Sequence, residues 1–165
     1  MKQYRCGVFG EWVRDLAHWQ AFGTMTFERE VSVWGASRSF EDFVVRQIPW
    51  VKCFYSVERH RTHGGHLHAL FAECGEVEWR AGARGKMLVA SMNGVDVWRE
   101  WKWRHGRNSI EMPRRGDDTA RYCAKYLTKE AAQWNHNLAV QFEKRETEIE
   151  RAAQWVFPGC TVIEA

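Results

Sequence analysis

Apolar positions gather between Lys52 and Phe71 in two runs parted by a short polar stretch. The first run, Lys52 to His60, is rich in aromatic and β-branched residues and reads as a strand. The second, Gly64 to Phe71, reads as a strand entered from a tight Gly64-Gly65 turn, and the loop from Arg61 to Gly65 makes the pair a hairpin. Strand side chains alternate between faces, so Leu67 and Phe71 share one side while His66, His68 and Leu70 share the other. Trp19 to Phe27 alternates as well, with Phe22, Thr24 and Thr26 set against Ala21, Gly23, Met25 and Phe27.

Helical spacing replaces alternation at Phe40, Phe43, Val44 and Ile48. This predicts a helix capped by Ser37 or Ser39 and ended by Pro49, with residues 28–37 as a loop before it. Residues 11–18 predict a short helix held by Trp12 and Leu16, residues 74–86 an exposed Gly-rich loop, and residues 95–103 another helix. A strand over residues 108–112 stops at Pro113, and a basic turn, Arg114-Arg115-Gly116, leads to a helix over 118–132. A last, acidic helix is predicted over about 138–156. Together these elements predict one α+β domain over residues 1–165. Its core is a central antiparallel sheet of four to five strands with flanking helices, ferredoxin-like or RRM-like in its opening order of strand, helix, strand, strand.

The net charge of +3 hides an uneven distribution. Residues 80–129 hold twelve Lys or Arg against five Asp or Glu, a local +7, which leaves −4 for the rest. A basic middle interleaved with tryptophan points to a polyanionic partner, most naturally nucleic acid. The five cysteines are scattered without a Cys-x-x-Cys pair, which fits reduced thiols. No signal-like start and no apolar run of membrane-spanning length occur, so a cytoplasmic location with no membrane partner is the expectation. Residues 82–87 resemble a phosphate loop only superficially, because Arg80 and Met87 stand where its first Gly and its Ser or Thr belong.

Two imidazoles on one face of a stiff strand can grip one divalent ion. Glu58, on the preceding strand, would lie across from them and supply a carboxylate oxygen; His60 shares its face, and His63 falls in the turn. A Glu with two His suits an ion with open coordination positions, and no thiolate is near enough in sequence for a structural zinc site. In the helix over 118–132, Tyr122, Lys125, Tyr126 and Lys129 fall on one face, at i, i+3, i+4 and i+7. Ala120, Cys123, Ala124, Leu127 and Ala131 form the opposite, sheet-packing face.

Taken together, these motifs resemble those of the HUH endonucleases, in particular the single-tyrosine Rep-type initiators of rolling-circle replication. Phe22-Gly23-Thr24-Met25-Thr26 is similar to the family's first motif, His66-Leu67-His68 to its second, and Tyr122 to Lys125 to its third, in the same order, over roughly residues 19–132. The resemblance implies a metal held by Glu58, His66 and His68, with Mn²⁺ or Mg²⁺ as the ion. It also implies Tyr122 as nucleophile, Lys125 as its electrostatic partner and Tyr126 as a substrate-binding or structural residue. The expected product is a 5′-phosphotyrosine link to single-stranded DNA. Candidate DNA contacts are Arg114, Arg115, Lys129, Tyr126, Trp101 and Lys102, with Trp98 and Trp103 as further stacking candidates. A chain of this length that lacks the phosphate loop is not expected to hold a helicase, so an initiator of this kind would borrow a host helicase and polymerase or act by nicking alone.

Two other classes compete. A non-catalytic RRM-like nucleic-acid-binding module shares the strand order but needs no His pair facing a carboxylate. A cupin-like metal site would use His66, His68 and Glu73, with no clear second motif at His105 or His136. A transposase or relaxase of the same superfamily shares the chemistry and differs in its biology.

Overall fold

The computed structural model describes residues 10–60, 64–113, 123 and 133–137, with only the backbone at 60, 64 and 133. A first helix, α1, covers residues 10–16. It is followed by β1 (Ala21–Met25), α2 (Val33–Gln47), β2 (Lys52–His60), β3 (Gly64–Ala72), β4 (Val77–Ala81), β5 (Met87–Met92), α3 (Val97–Arg104), β6 (Asn108–Glu111) and β7 (Gln133–His136). The strands form one antiparallel sheet in the order β4-β5-β6-β1-β3-β2-β7. Strands β1 and β2, joined by α2, run the same way with β3 inserted between them, which is a split β-α-β arrangement.

The sheet has seven strands, not four or five. The expected loop over residues 74–86 contains β4, where Val77 and Trp79 pack inward while Glu78 and Arg80 alternate with them. The register with β5 shifts between Glu78 and Trp79, and the glycines on either side of β4 gave it the look of a loop. Strand β7 has only four residues, and β5 carries the extra residue, Ala90, where its register with β4 shifts. Helix α2 begins earlier than expected, because Ser32 is its cap: its Oγ accepts from the Gly35 amide at 3.0 Å. Ser37 lies inside the helix, its hydroxyl bonded to Tyr55. The predicted helices over 118–132 and 138–156 lie outside the described residues, except for Cys123, which is helical.

Packing divides the sheet into two faces. Helices α2 and α3 cover the back, where Phe40, Val44, Tyr55, Val57, Leu67, Phe71, Val97 and Trp101 share the main core. The front carries a smaller cluster, Val13 of α1 with Phe54, Leu70 and Cys123. Strand β7 is clipped to the β2 edge by polar side chains. The Tyr55 hydroxyl donates to Glu41 Oε1 at 2.6 Å, and Asn135 Nδ2 donates to the same oxygen at 2.9 Å. Asn137 accepts from the Cys53 amide at 2.6 Å and donates to the Val51 carbonyl at 2.9 Å. Burial, then the bond to Glu41, pushes the Tyr55 phenol far above its ordinary range. Cys53, Cys74 and Cys123 are buried free thiols, and burial raises that of Cys74 to about 12. Among the described residues no helix is long and apolar enough to cross a membrane.

Candidate metal centre on the front of the sheet

The hairpin register decides what meets on the front face. Glu58 pairs with His66 and Ser56 with His68 across β2 and β3, while Thr24 of β1 pairs with His68 from the other side. Strand β3 is thus hydrogen-bonded along both edges, which fixes the directions of its two imidazoles. The Nε2 atoms of His66 and His68 lie 3.0 Å apart, and Glu58 Oε2 lies 3.9 Å from His68 Nε2. One donor atom from each of the three residues falls within 4.8 Å of the others. The expected convergence of Glu58 with the histidine pair is present.

Burial supports the same reading. The His68 side chain is only 2% exposed, and that of Glu58 is 21% exposed. Phe22 lies parallel to the His68 ring, with centroids 6.1 Å apart and 5° between planes. Thr24 Oγ1 sits 3.3 Å from His68 Nδ1. With Nδ1–H donating to that hydroxyl, the Nε2 lone pair of His68 points at the other two donors. Two neutral imidazoles and a carboxylate carry one negative charge between them, and donors about 3 Å apart suit adjacent positions on an ion with roughly 2.1 Å bonds. The donor set fits a divalent cation with open positions for oxygen ligands. The side chains of His60 and His63 lie outside the described residues.

The glycines before His66 have a different purpose from the one the sequence suggested. Gly64 and Gly65 belong to β3 rather than to the turn. The Gly65 amide donates to the Val31 carbonyl at 2.9 Å, and a Cβ there would stand 3.1 Å from that of Ala36. The missing side chain lets the start of α2 close onto β3 beside His66.

The other expected site residues separate into three groups. Tyr122, Lys125, Tyr126, Lys129, Arg114 and Arg115 lie outside the described residues. Trp101 is a correction: it is fully buried in the back core, among Phe27, Phe40, Phe43 and His105, with its Nε1 donating to the Thr26 carbonyl at 3.2 Å. It has no face to offer a base. Lys102 is exposed, but its ammonium lies 4.5 Å from the Trp98 ring centre, with Arg80 at 5.7 Å from the same ring. Trp101 and Lys102 belong to α3, across the sheet from the Glu58–His66–His68 cluster. The cupin-like alternative also loses its third ligand, because Glu73 lies seven residues along the chain from His66, just past the other end of β3 and about 20 Å away.

Sequence reasoning gave no site role to Thr24 or Phe22, although both stand in the first motif. Their contacts with His68 follow from the β1–β3 pairing, which no local pattern encodes. Cys123 bears out one expectation: it is buried against Phe54 and Leu70, on the face that carries His68. No family model, curated protein or solved structure matches the chain.

Proposed function

We propose that the protein is a metal-dependent nickase of single-stranded DNA, of the HUH endonuclease kind, that initiates rolling-circle replication of a small viral, phage or plasmid genome. The observation that carries this reading is the convergence of Glu58, His66 and His68 on the sheet face where Cys123 is seated. Tyr122 immediately precedes Cys123 in sequence, and Cys123 is packed on that face. The sequence therefore ties the Tyr122 to Lys125 motif, the first of two consecutive Tyr-x-x-Lys runs, to the surface bearing the candidate metal ligands.

A divalent ion on these three ligands would polarise a scissile phosphate. Glu58 stands opposite His66 across the β2–β3 pair, and His68 is paired with both Ser56 and Thr24, so the backbones carrying the three donors are held in register. The phenol of Tyr122 is the nucleophile in this reading. Its oxygen forms a bond to phosphorus as the bond from phosphorus to the 3′-oxygen breaks. The phenolic proton passes to solvent, and the departing oxygen takes up a proton to become a free 3′-hydroxyl. A free tyrosine has a pKa of about 10, so the phenolate needs positive charge nearby; Lys125, one helical turn on in sequence, supplies it. The phosphotyrosine ester keeps the energy of the broken bond, so a second 3′-hydroxyl can reverse the step without ATP.

The test is an SDS-resistant protein–DNA adduct formed with Mn²⁺ and a random-core pool of single-stranded oligonucleotides. The adduct should appear with the wild-type protein and with Tyr126→Phe, and should vanish in Tyr122→Phe and His68→Ala. Loss in Tyr126→Phe alone would move the nucleophile to that residue. DNA binding without any adduct would favour a non-catalytic module and overturn the proposal.

A further inference from the structure

Strand β7 brings a second set of side chains to the face that bears the cluster. Trp134 pairs in register with Ser56, which pairs with His68, so indole and imidazole stand in one row across the sheet. Two strand spacings, about 10 Å, separate their backbones. The Trp134 ring lies nearly parallel to Phe54 (6.0 Å, 30°) and to His136 (6.4 Å, 26°), while Trp12 of α1 meets it edge-on at 5.7 Å. Three rings hold the indole in place, yet it remains 43% exposed, and Trp12 38%. Large apolar side chains fixed on a surface and left open are suited to a flat partner.

Two further atoms point to a ligand with polar edges. Ser56 Oγ and His136 Nδ1 are buried and have no hydrogen-bond partner. Ser56 lies between Trp134 and His68 in the row, and His136 is the next front-facing residue of β7. The unpartnered groups therefore border the Trp134 ring on two sides.

We infer that Trp134, flanked by Trp12 and His136, is a stacking site for a nucleobase of the single-stranded DNA whose phosphate reaches Glu58, His66 and His68. The choice of DNA as occupant rests on the nickase reading; the stacking geometry does not. Stacking on an aromatic ring tolerates any base, and the unpartnered Ser56 Oγ and His136 Nδ1, both buried, adjoin Trp134 in the sheet register. This site replaces the one expected on α3, where Trp101 is core and Trp98 is covered by two cations.

The experiment uses the full chain with Mn²⁺ and a fluorescein-labelled oligothymidylate of about twenty nucleotides, read by anisotropy beside the adduct assay. Trp134→Ala should weaken binding about 10- to 100-fold, Trp134→Phe should keep most of the affinity, and Trp34→Ala, an exposed tryptophan of α2, should match wild type. An abasic oligomer of the same length should bind wild type more weakly than oligothymidylate and should lose that difference in Trp134→Ala. A merely structural tryptophan would not erase the preference for bases. Should Trp134→Ala fail to fold by circular dichroism, Trp134→Leu, apolar but not aromatic, decides the same point. Equal affinity in wild type and Trp134→Ala, or an undiminished preference for bases in the variant, overturns the inference and leaves the nickase proposal standing. Stacking without any adduct does the reverse, and absence of DNA binding by wild type overturns both.

Discussion

Thr24→Val tests whether the first motif serves the metal centre. The substitution keeps the shape of the side chain and removes the hydroxyl that lies 3.3 Å from His68 Nδ1. Hydrogen bonds that orient a metal-ligating histidine typically change metal affinity 10- to 100-fold when lost, which is about 1.4–2.7 kcal/mol. At a Mn²⁺ concentration 1,000 times the wild-type Kd, binding adds about 4 kcal/mol to stability. For a chain of 165 residues each kcal/mol moves Tm by about 2–4 °C. The metal-induced rise in Tm should therefore be roughly 3–10 °C smaller in Thr24→Val than in wild type. The variant also loses a bond in the metal-free protein, about 1 kcal/mol, so the readout is the metal-induced shift rather than Tm itself. Calorimetric titration with Mn²⁺ gives the affinity directly. Thr26→Val is the control, since Thr26 Oγ1 donates to the Arg107 carbonyl at 3.0 Å and not to the cluster; its Mn²⁺ affinity should stay within twofold of wild type. A Thr24→Val protein that binds Mn²⁺ as tightly as wild type would refute the idea that this hydroxyl orients His68.

Two further predictions concern the back of the sheet. Trp101→Ala should destabilise the protein by about 3–5 kcal/mol through the cavity it leaves, whereas Trp103→Ala, 81% exposed, should change stability by less than about 0.5 kcal/mol; urea unfolding followed by far-UV circular dichroism separates them, and near-equal losses would contradict the assignment of Trp101 to the core. His105 is held below its ordinary pKa of about 6.5 first by burial and then by Arg104, against an opposing pull from Asp42. The unfolded chain then takes up the proton at a higher pH than the folded one, so the neutral ring's contribution is intact above about 6.5 and is lost as pH falls below it. Urea midpoints at pH 7.5 and 5.5 should fall further in wild type than in His105→Gln, and parallel slopes would disprove the linkage.

The cluster was legible in sequence because every step toward it was local. Alternation set His66 and His68 on one face, and a hairpin with a short loop fixes its register within narrow limits, which puts Glu58 opposite His66. Reasoning failed where the deciding contacts are distant in sequence. Trp98, Trp101 and Trp103 read alike on α3, since each is an indole beside a cation; only packing against Phe27, Phe40 and Phe43 makes one of them core. Strand β7 is four residues long, and what holds it is Asn135 reaching Glu41 and Asn137 reaching β2, partners about 90 residues away. The start of α2 was misplaced because Ser32, Ser37 and Ser39 are all plausible caps. The stripe Ala36, Phe40, Phe43 and Val44 selects Ser32, with the helix running through the other two.

The two faces of the sheet divide the work, and β3 is where they meet. On the back, Leu67, Ala69 and Phe71 are buried under α2 and α3, in contact with the largest part of the core. On the front, the same strand presents His66 and His68. Each imidazole therefore sits one residue from a side chain whose displacement would open a cavity in the main core, and each backbone bond of β3 is shared with β1 or β2. The close approach at Gly65 fixes the strand at its other margin. Such support is what a site needs if its ligands are to stay aligned before any ion or phosphate arrives. The front is built differently: among the described residues its apolar cluster is small, Ser56 Oγ and His136 Nδ1 lack partners, and Trp12 and Trp134 are partly open. Among the described residues the larger core lies behind the cluster, and two of the three unpartnered buried polar atoms, at Ser56 and His136, lie in front of it, a distribution in keeping with the proposed passage of single-stranded DNA across that face.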